Sequence, residues 1–405
     1  MTKIHLLAVI AVSVLVACGQ QEQTVEAIAD LQSEAERIAH SSIIIDSHID
    51  VPYRLESKPD DVSRATESGD FDYPRAIAGG LNAPFMSIYT PAELEADGGS
   101  RALADELIDM VEGIVESAPD KFAIALSPAD VRAHFEAGLI SFPLGMENGS
   151  PVEGSFEILQ HFYDRGIRYI TLAHGLSNHI ADSSYDENHQ WNGLSEFGVE
   201  LVKEMNRIGI MVDISHVSDE AFWQAADVAE APLIASHSSA RHFTPGFERN
   251  MNDDMIKRLA ETGGVIMINY GSAFLTAEAN QYSLAKRAAQ AVWKEEHPDL
   301  SDEEVDEQFK AIWIAKRGEL PYASLEDVLD HIDHVVELSS VEHVGIGSDY
   351  DGVGDSLPVG LKDVSSYPNL VKGLLERGYN EQDIRKILGE NLLRVWQAVA
   401  DNATR

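Results

Sequence analysis

The feature that most constrains this chain is a histidine and an aspartate two residues apart at the end of an apolar run. His48 and Asp50 follow three consecutive isoleucines at positions 43–45. Side chains in a β-strand repeat with a period of two, so His48 and Asp50 point the same way and can bind one cation together. The spacing therefore predicts a buried strand whose end carries part of a metal site.

Four later apolar runs also end in a residue suited to metal binding or acid-base chemistry. These residues are Glu147, His216, His237 and Asp349. In a parallel barrel the carboxyl ends of all strands meet at one rim, which is where the active sites of such barrels lie. The pattern therefore predicts that these side chains converge on a single polar site.

Eight apolar runs alternate with segments of helical period along the chain. This alternation predicts an α/β protein with a (β/α)₈ TIM-type barrel. The alternative is an open, doubly wound sheet, but Asp46-Ser47-His48 stands where that fold usually carries a glycine-rich phosphate loop. The predicted strands are 43–45, 83–88, 140–144, 169–172, 210–214, 232–235, 265–268 and 344–346.

We expect one catalytic domain over residues 41–405, since barrels of this size with insertions are common. Residues 272–324 are long for a connection between strand and helix and rich in helix formers, which predicts a helical insertion between the last strands. It is either a cap over the active site or a surface decoration. Helices follow the last strand, and in them Leu393 and Trp396 are predicted core residues.

The amino terminus has the layout of a secretory signal. A short polar start precedes an apolar run over residues 4–17, which is too short to span a membrane, and Cys18 is the only cysteine. Residues 15–18, Leu-Val-Ala-Cys, resemble the lipobox of bacterial lipoproteins. We therefore expect a signal peptide over 1–17, acylation of Cys18, a polar tether over 18–40, and an exported lipoprotein on the periplasmic side, with Gly19 favouring the outer membrane. An ordinary signal peptide or a membrane anchor are the alternatives.

The chain is strongly acidic, with 30 Lys and Arg against 68 Asp and Glu and a formal charge of -38. Such a surface repels nucleic-acid phosphates and anionic headgroups, so no nucleic-acid partner is expected. We interpret the acidity as a solubilising surface.

Imidazole and carboxylate ligands favour zinc. Glu147 offers two oxygens that can bridge two cations, and His216 and His237 would complete a second ion beside the one at His48 and Asp50. Two cations about 3.5–4 Å apart can hold a bridging hydroxide and polarise a carbonyl. Histidines away from strand ends, such as His331 and His334 on a predicted helix, are interpreted as structural.

Six motifs together resemble the membrane (renal) dipeptidase family of the amidohydrolase superfamily. They occur in family order, and the resemblance extends from Ile43 to Val399. The motifs are Asp46-Ser47-His48-Ile49-Asp50, Gly145-Met146-Glu147-Asn148-Gly149, Thr171-Leu172-Ala173-His174, Asp213-Ile214-Ser215-His216-Val217-Ser218, Ser236-His237-Ser238-Ser239-Ala240 and Gly345-Ile346-Gly347-Ser348-Asp349-Tyr350-Asp351-Gly352.

The resemblance implies a binuclear zinc peptidase that hydrolyses dipeptides and tolerates a D-residue at the carboxyl terminus. It implies two Zn²⁺ ions per chain and also suggests a homodimer. By motif, His48 and Asp50 hold one zinc, His216 and His237 hold the other, and Glu147 bridges them.

The resemblance also implies three roles in catalysis and substrate binding. Asp349 would take a proton from the attacking hydroxide and deliver it to the leaving amine, with Asp351 as its rival. His174 would stabilise the oxygen of the tetrahedral intermediate. Arg249 would bind the free carboxylate of the substrate, with Arg241 as its competitor.

One departure from the family pattern follows the seventh strand. The family often shows two adjacent aromatic residues there, whereas this chain has Asn269-Tyr270-Gly271. Side-chain preference is therefore not fixed by the resemblance. A different amidohydrolase reaction, on N-acyl amino acids, lactones or phosphoesters, is the alternative within enzymes, and a non-catalytic lipid-anchored binding protein is the alternative outside them.

Overall fold

The computed structural model describes residues 30–404 and contains a closed barrel of eight parallel strands. The predicted (β/α)₈ fold is confirmed. Ten strands occur in the described residues, of which β3 and β4 form a separate two-stranded sheet. They are β1 (Ile44–Ile49), β2 (Leu81–Tyr89), β3 (Phe122–Ile124), β4 (Ile140–Phe142), β5 (Leu144–Glu147), β6 (Ile167–Thr171), β7 (Met211–Asp213), β8 (Ile234–Ser238), β9 (Val265–Ile268) and β10 (Val344–Ile346).

The predicted strand 140–144 is wrong as a single barrel strand, because it is split at Pro143. Residues 140–142 form β4 and pair with β3 outside the barrel, and the barrel strand β5 begins at Leu144. Proline has no N–H to donate to a strand ladder, so it separates the two short strands. The Pro143 carbonyl still accepts a hydrogen bond from the backbone N–H of Met86 at 2.9 Å. Glu147 is thus the last residue of the third barrel strand.

Helices surround the barrel, and many begin at a serine that follows a strand. Ser155, Ser195 and Ser218 each accept a hydrogen bond from a backbone N–H in the first turn of α7, α8 and α9, which satisfies an otherwise unpaired donor. The helices are α1 (30–41), α2 (Val51–Ser57), α3 (Tyr73–Gly79), α4 (Leu94–Asp97), α5 (Ser100–Ser117), α6 (Pro128–Ala137), α7 (Phe156–Asp164), α8 (Glu196–Ile208), α9 (Asp219–Val228), α10 (Asp253–Glu261), α11 (Ser272–Leu275), α12 (Ala277–Glu295), α13 (Asp302–Arg317), α14 (Leu325–Leu338), α15 (Tyr367–Glu376), α16 (Glu381–Arg385) and α17 (Asn391–Asn402).

Helix α1 corrects the expected boundary of the polar tether. Residues 30–40 were assigned to a tether, but they are helical, and Ala35, Ile38 and Ala39 are fully buried against the core. An apolar face with spacings of three and four residues is enough to dock a helix that is otherwise polar. The predicted signal peptide, Cys18 and tether residues 18–29 lie outside the described residues. None of the helices in residues 30–404 combines the length and apolar character needed to cross a bilayer.

The barrel interior is filled at one end by aromatic side chains. Trp396 on α17 lies 5.4 Å from the ring of Phe85, which lies 5.4 Å from the ring of Tyr169. Leu393 joins them, so both predicted core residues of the closing helices are confirmed. The same cluster contains the first residues of β7, β8 and β9, so it closes the amino-terminal end of the barrel and leaves the carboxyl end for the site: Met211, Ile234 and Val265.

The predicted helical insertion consists mainly of α12 and α13, which pack on each other. Phe309 and Trp313 of α13 are buried, and their rings contact Trp293 and Tyr282 of α12, each at 5.9 Å between ring centroids. A cavity of about 1310 Å³ lies between these two helices and the carboxyl ends of the barrel strands. Of the two interpretations from sequence, the structure supports the cap over the site.

Candidate active site

The structure brings the predicted strand-end residues together at the carboxyl rim of the barrel. Glu147 is the last residue of β5, His237 lies in β8, and His216 and Asp349 follow β7 and β10 directly. With His48 of β1, all five are buried. Residues separated by about three hundred positions therefore share one polar site.

Glu147 is the centre of this arrangement. Its Oε1 lies 3.1 Å from Nε2 of His216 and 3.2 Å from Nε2 of His237, and the two Nε2 atoms are 2.8 Å apart. Donor atoms about 2.0–2.1 Å from a tetrahedral zinc lie about 3.3 Å from one another. This triangle of two imidazoles and one carboxylate oxygen therefore fits a single zinc ion.

The second oxygen of Glu147 faces the other half of the site. Its Oε2 lies 3.5 Å from Nε2 of His48, and that nitrogen lies 3.5 Å from Oδ2 of Asp50. Within the described chain, His48 Nε2 and Asp50 Oδ1 are buried without a hydrogen-bond partner. Such buried polar atoms are costly unless something binds them, and a cation here would satisfy both. The two oxygens of Glu147 thus serve two adjacent donor groups.

The protonation states of Glu147, His216 and His237 favour metal binding. Burial raises the pKa of Glu147, but the surrounding imidazoles, His48 foremost, outweigh it and hold that pKa well below its usual range. Burial also lowers the pKa values of His216 and His237 well below the usual value for histidine. An ionised Glu147 and neutral His216 and His237 are the forms that bind zinc. Burial lowers the pKa of His48, but Tyr169, Glu147 and Asp50 outweigh it and hold that pKa well above the usual value, so a cation bound at His48 would displace a proton.

Tyr169 orients His48 from inside the barrel. Its hydroxyl lies 2.8 Å from Nδ1 of His48 and donates to the backbone carbonyl of Ser47 at 3.1 Å. With Nδ1 donating to the hydroxyl, Nε2 is left free as a ligand. Gly145 makes this possible, because a Cβ at that position would clash with the Tyr169 ring. Sequence reasoning treated 169 only as the start of a strand and missed this role.

A chain of hydroxyls and a buried aspartate orients His237 in the same way. The Ser236 hydroxyl donates to Oδ2 of Asp213 at 2.6 Å, and Thr171 donates to the same oxygen at 2.5 Å. Ser236 Oγ therefore accepts from Nδ1 of His237 at 2.7 Å. This bond leaves Nε2 of His237 for a cation.

Asp349 lies beside the His48 and Asp50 half of the site. It is buried, and its backbone φ of 64° is in the left-handed region, where residues other than glycine are uncommon and often functional. His216 has a similar φ of 69°. Burial and the neighbouring Asp50 raise the pKa of Asp349 to about 7. A carboxyl group poised near neutral pH is suited to proton transfer.

His174 lies beside Glu147 and His216 and faces the cavity. Its Nε2 lies 3.5 Å from Glu147 Oε1, and its ring lies 4.2 Å from the ring of His216 and 4.7 Å from that of Tyr89. Burial lowers the pKa of His174. A neutral imidazole at this position can donate a hydrogen bond to a substrate oxygen.

Arg249 is buried at the edge of the site. It donates to Ser238 Oγ at 2.7 Å and to the His237 carbonyl at 2.8 Å, while its Nε is buried without a partner among the described residues. Its competitor Arg241 is held by Asp219, with two bonds of 2.8 and 2.5 Å. The structure therefore leaves the Arg249 guanidinium, and not that of Arg241, with unused donor capacity beside His237.

Asp351, the rival of Asp349, is occupied elsewhere. Its Oδ2 accepts from Arg54 Nε at 3.0 Å, and its Oδ1 accepts from the backbone N–H of Asp70 at 2.7 Å. It does not belong to the group formed by His48, Asp50 and Asp349. Asp351 therefore supports the loop after β10.

The histidines interpreted as structural make protein contacts away from the rim. His331 on α14 accepts from the backbone N–H of Ala240 and bonds the Leu275 carbonyl, both at 3.0 Å. His334 bonds Asp253 at 2.8 Å.

The structure is a closed parallel barrel with two groups of donor atoms at its carboxyl rim, and the two groups share one carboxylate. These features define the class of metal-dependent barrel hydrolases. Comparison with known proteins narrows the class. The family model described as membrane dipeptidase, peptidase family M19, matches residues 32–405. The chain belongs to the membrane dipeptidase family, which confirms the resemblance seen in its motifs, and it is a metal-dependent dipeptidase.

Individual relatives agree with this placement. An uncharacterised dipeptidase of Schizosaccharomyces pombe is 33% identical over 386 residues, covering 90% of this chain and 84% of the relative. The crystal structure of the probable dipeptidase PvdM from Pseudomonas aeruginosa is 26% identical, with a TM-score of 0.81 over 93% of this chain and all of that one. A metallopeptidase from Rhodobacter sphaeroides, liganded with a phosphinate mimic of the dipeptide L-Ala-D-Ala, shares the fold at 24% identity, with a TM-score of 0.72 over 89% of this chain and all of that one.

Proposed function

We propose that the protein is a binuclear zinc dipeptidase that hydrolyses the peptide bond of dipeptides, including those with a D-residue at the carboxyl terminus. This proposal rests on the two carboxylate oxygens of Glu147. Oε1 faces His216 and His237, and Oε2 faces His48. A carboxylate placed in this way supplies one oxygen to each of two cations.

The residues that would hold the two ions follow from these contacts. His48, Asp50 and Glu147 would hold one, and Glu147, His216 and His237 would hold the other. When bound, the two ions would supply a hydroxide nucleophile at neutral pH by lowering the pKa of a water, and they would polarise the scissile carbonyl.

The side chains around the ligands supply binding and proton transfer. Arg249 would bind the free carboxylate of the dipeptide with its unused N–H groups, which a planar guanidinium can do through two parallel hydrogen bonds. Asp349 would accept the proton of the attacking hydroxide as the C–O bond forms. It would then deliver that proton to the amine nitrogen as the C–N bond breaks. His174 would donate to the carbonyl oxygen while negative charge develops on it.

Tolerance of a D-residue is supported by the family resemblance and by the space above the site. The cavity of about 1310 Å³ exceeds the usual range for small-molecule pockets, about 300–1,000 Å³. Such space leaves room for the carboxyl-terminal side chain of either stereoisomer beneath α12 and α13.

A panel of dipeptides tests the proposal. Purified protein loaded with zinc should release free amino acids from L,L- and L,D-dipeptides, and should lose activity on chelation and regain it with zinc. Two zinc ions per chain are expected by elemental analysis. N-acyl amino acids, a lactone and a phosphodiester complete the panel. If any of these compounds is turned over while every dipeptide is left intact, the peptidase assignment is wrong.

We also propose that the mature protein is anchored through acylated Cys18 on the periplasmic side of the outer membrane and forms a homodimer. The lipobox-like residues 15–18 support the anchor, and the family resemblance supports the dimer. Palmitate labelling should mark the wild type but not Cys18→Ser, and fractionation should place the label in the outer membrane. Light scattering on the protein without residues 1–18 should give twice the chain mass.

A further inference from the structure

One face of helix α12 lines the cavity above the proposed active site. The lining positions recur at helical spacing, so a single face of α12 forms this part of the cavity wall. The same cavity reaches Glu147, His174 and His216 at its base. The lining residues of this face include Tyr282, Ser283, Lys286, Arg287, Gln290 and Lys294.

Lys286 and Arg287 are cations on this face without a counter-charge. Neither forms an ion pair or a hydrogen bond within residues 30–404, and Arg287 contacts only the ring of Tyr185, at 5.9 Å from guanidinium carbon to ring centroid. The chain carries 68 acidic residues against 30 basic ones, yet none of the acidic residues in the described chain pairs with either cation. Two adjacent free cations facing a cavity indicate a binding function for an anion.

Several of the acidic residues that line the cavity are already engaged. Asp355 pairs with Lys310 at 3.4 Å and accepts from the Tyr322 hydroxyl at 3.0 Å. Asp306 accepts a hydrogen bond from Gln290. Glu307 and Glu319 also line the cavity, but they lie on α13 and on the segment after it. The carboxylate of Asp306 thus contacts the α12 wall at Gln290, whereas no carboxylate among residues 30–404 pairs with Lys286 or Arg287. An anion would therefore bind against α12 at these two cations.

A continuous set of side chains connects Arg287 to Arg249. Arg249 lies over the ring of Phe274 at 5.3 Å, Phe274 contacts Phe247 at 5.6 Å, and Phe247 contacts Tyr185 at 6.1 Å. Tyr185 in turn lies beneath Arg287. A carboxylate held by Arg249 would therefore lie at one end of this aromatic wall, and Arg287 of α12 lies at the other end.

We infer that Lys286 and Arg287 form a second carboxylate site, which binds the acidic side chain of an aspartate or glutamate at the carboxyl-terminal position of the substrate. The inference rests on the proposed dipeptidase function and specifies its substrate class. Because both cations lie at the cavity surface, their contribution is electrostatic and decreases with salt.

Matched substrates and variants test the inference. Alanyl-glutamate and its neutral isostere alanyl-glutamine, each with L- and D-configured second residues, should differ about tenfold in kcat/KM in favour of glutamate for at least one configuration. The double variant Lys286→Gln/Arg287→Gln should abolish this difference and leave alanyl-glutamine within about twofold. About 0.5 M NaCl should reduce the difference in the wild type. Lys203→Gln removes one exposed cation from α8 and should preserve the difference.

Each contrary result has a distinct meaning. Equal rates on the glutamate and glutamine substrates would overturn the inference but leave the dipeptidase function intact. An effect of Lys203→Gln as large as that of the double variant Lys286→Gln/Arg287→Gln would also overturn it, since total charge would then be the cause. A preference for glutamyl-alanine over alanyl-glutamate would contradict the placement at the carboxyl-terminal residue. No cleavage of any dipeptide would overturn the proposed function itself.

Discussion

Asn269 donates a hydrogen bond from Nδ2 to Oδ2 of Asp349 at 2.7 Å, and both side chains are buried. The amide of Asn269 is held in this orientation because its Oδ1 accepts from the backbone N–H of Gly271, also at 2.7 Å. Asn269 follows β9 directly and Asp349 follows β10, which are neighbouring strands of the barrel. The position of the proposed acid-base group is therefore fixed by the end of the adjacent strand.

Asn269→Ala should lower kcat with little change in KM, because Asn269 positions Asp349 and does not contact the substrate in our proposal. A buried hydrogen bond to a charged group contributes about 1.5–3 kcal/mol, so we expect kcat to fall about 10- to 100-fold. Steady-state kinetics on one good dipeptide measure the change. Asn206→Ala is the control, since Asn206 is equally buried but accepts from the backbone N–H of Glu230 at 2.7 Å, away from the site. A rise in KM alone would show that Asn269 binds substrate.

Glu147→Gln should reduce both metal content and activity. The amide keeps the shape of the side chain but loses the charge, and it offers only one good acceptor where two cations each need one. We expect fewer than two zinc ions per chain by elemental analysis and a loss of at least about 100-fold in kcat/KM. The exposed Glu153→Gln should retain both ions and full activity. Retention of two ions in Glu147→Gln would disprove the bridging role.

The residues of the candidate site could be predicted because they are placed by short-range patterns. His48, Glu147 and His216 each follow an apolar run, and parallel strands must bring such ends to one rim. The partners that orient them could not be predicted in the same way. The contacts of Tyr169 and Asn269 depend on which strands are neighbours and on the register between them. The sequence does not reveal either of these.

Two boundaries were wrong for local reasons. In the run at 140–144, Pro143 is itself a signal that one strand is interrupted, but the sequence does not show that the residues before it pair in a second sheet. Residues 30–41 form part of a polar segment, and the three small or branched apolar residues of their buried face are too few to stand out against it. In both cases tertiary packing decides the structure, and periodicity over so few residues does not reveal it.

Arg249→Ala should slow the hydrolysis of substrates that have a free carboxylate much more than that of substrates without one. Removing one partner of a buried charged contact costs about 2–5 kcal/mol, so kcat/KM on L-Ala-D-Ala should fall at least about 30-fold. The same dipeptide with an amidated carboxyl terminus should change less than about threefold. Arg241→Ala is the matched comparison, because Arg241 is committed to Asp219. It should lower thermal stability without changing the ratio of the two substrates. Equal losses on both substrates in Arg249→Ala would show that Arg249 is not a carboxylate clamp.

His331 should make the stability of the fold depend on pH. Burial lowers the pKa of His331 to about 4 and outweighs the Leu275 carbonyl, which accepts from Nε2 and raises that pKa. The Nδ1 of His331 accepts from the backbone N–H of Ala240, which only the neutral ring can do. The unfolded chain has the ordinary histidine pKa, about 6.5. The contribution of His331 to the free energy of unfolding is therefore present in full above pH 6.5. It is lost as the pH falls towards 4, and the loss is about 2 kcal/mol at pH 5.

His331→Gln keeps an acceptor and a donor without the titration. It should be less stable than the wild type at pH 7, but its free energy of unfolding should fall by about 2 kcal/mol less between pH 7 and pH 5. Chemical denaturation of the metal-free protein at both pH values measures this difference. The exposed His40→Gln on α1 is the control, and its stability should follow the wild type at both pH values. An equal pH dependence in His331→Gln would show that another group is responsible.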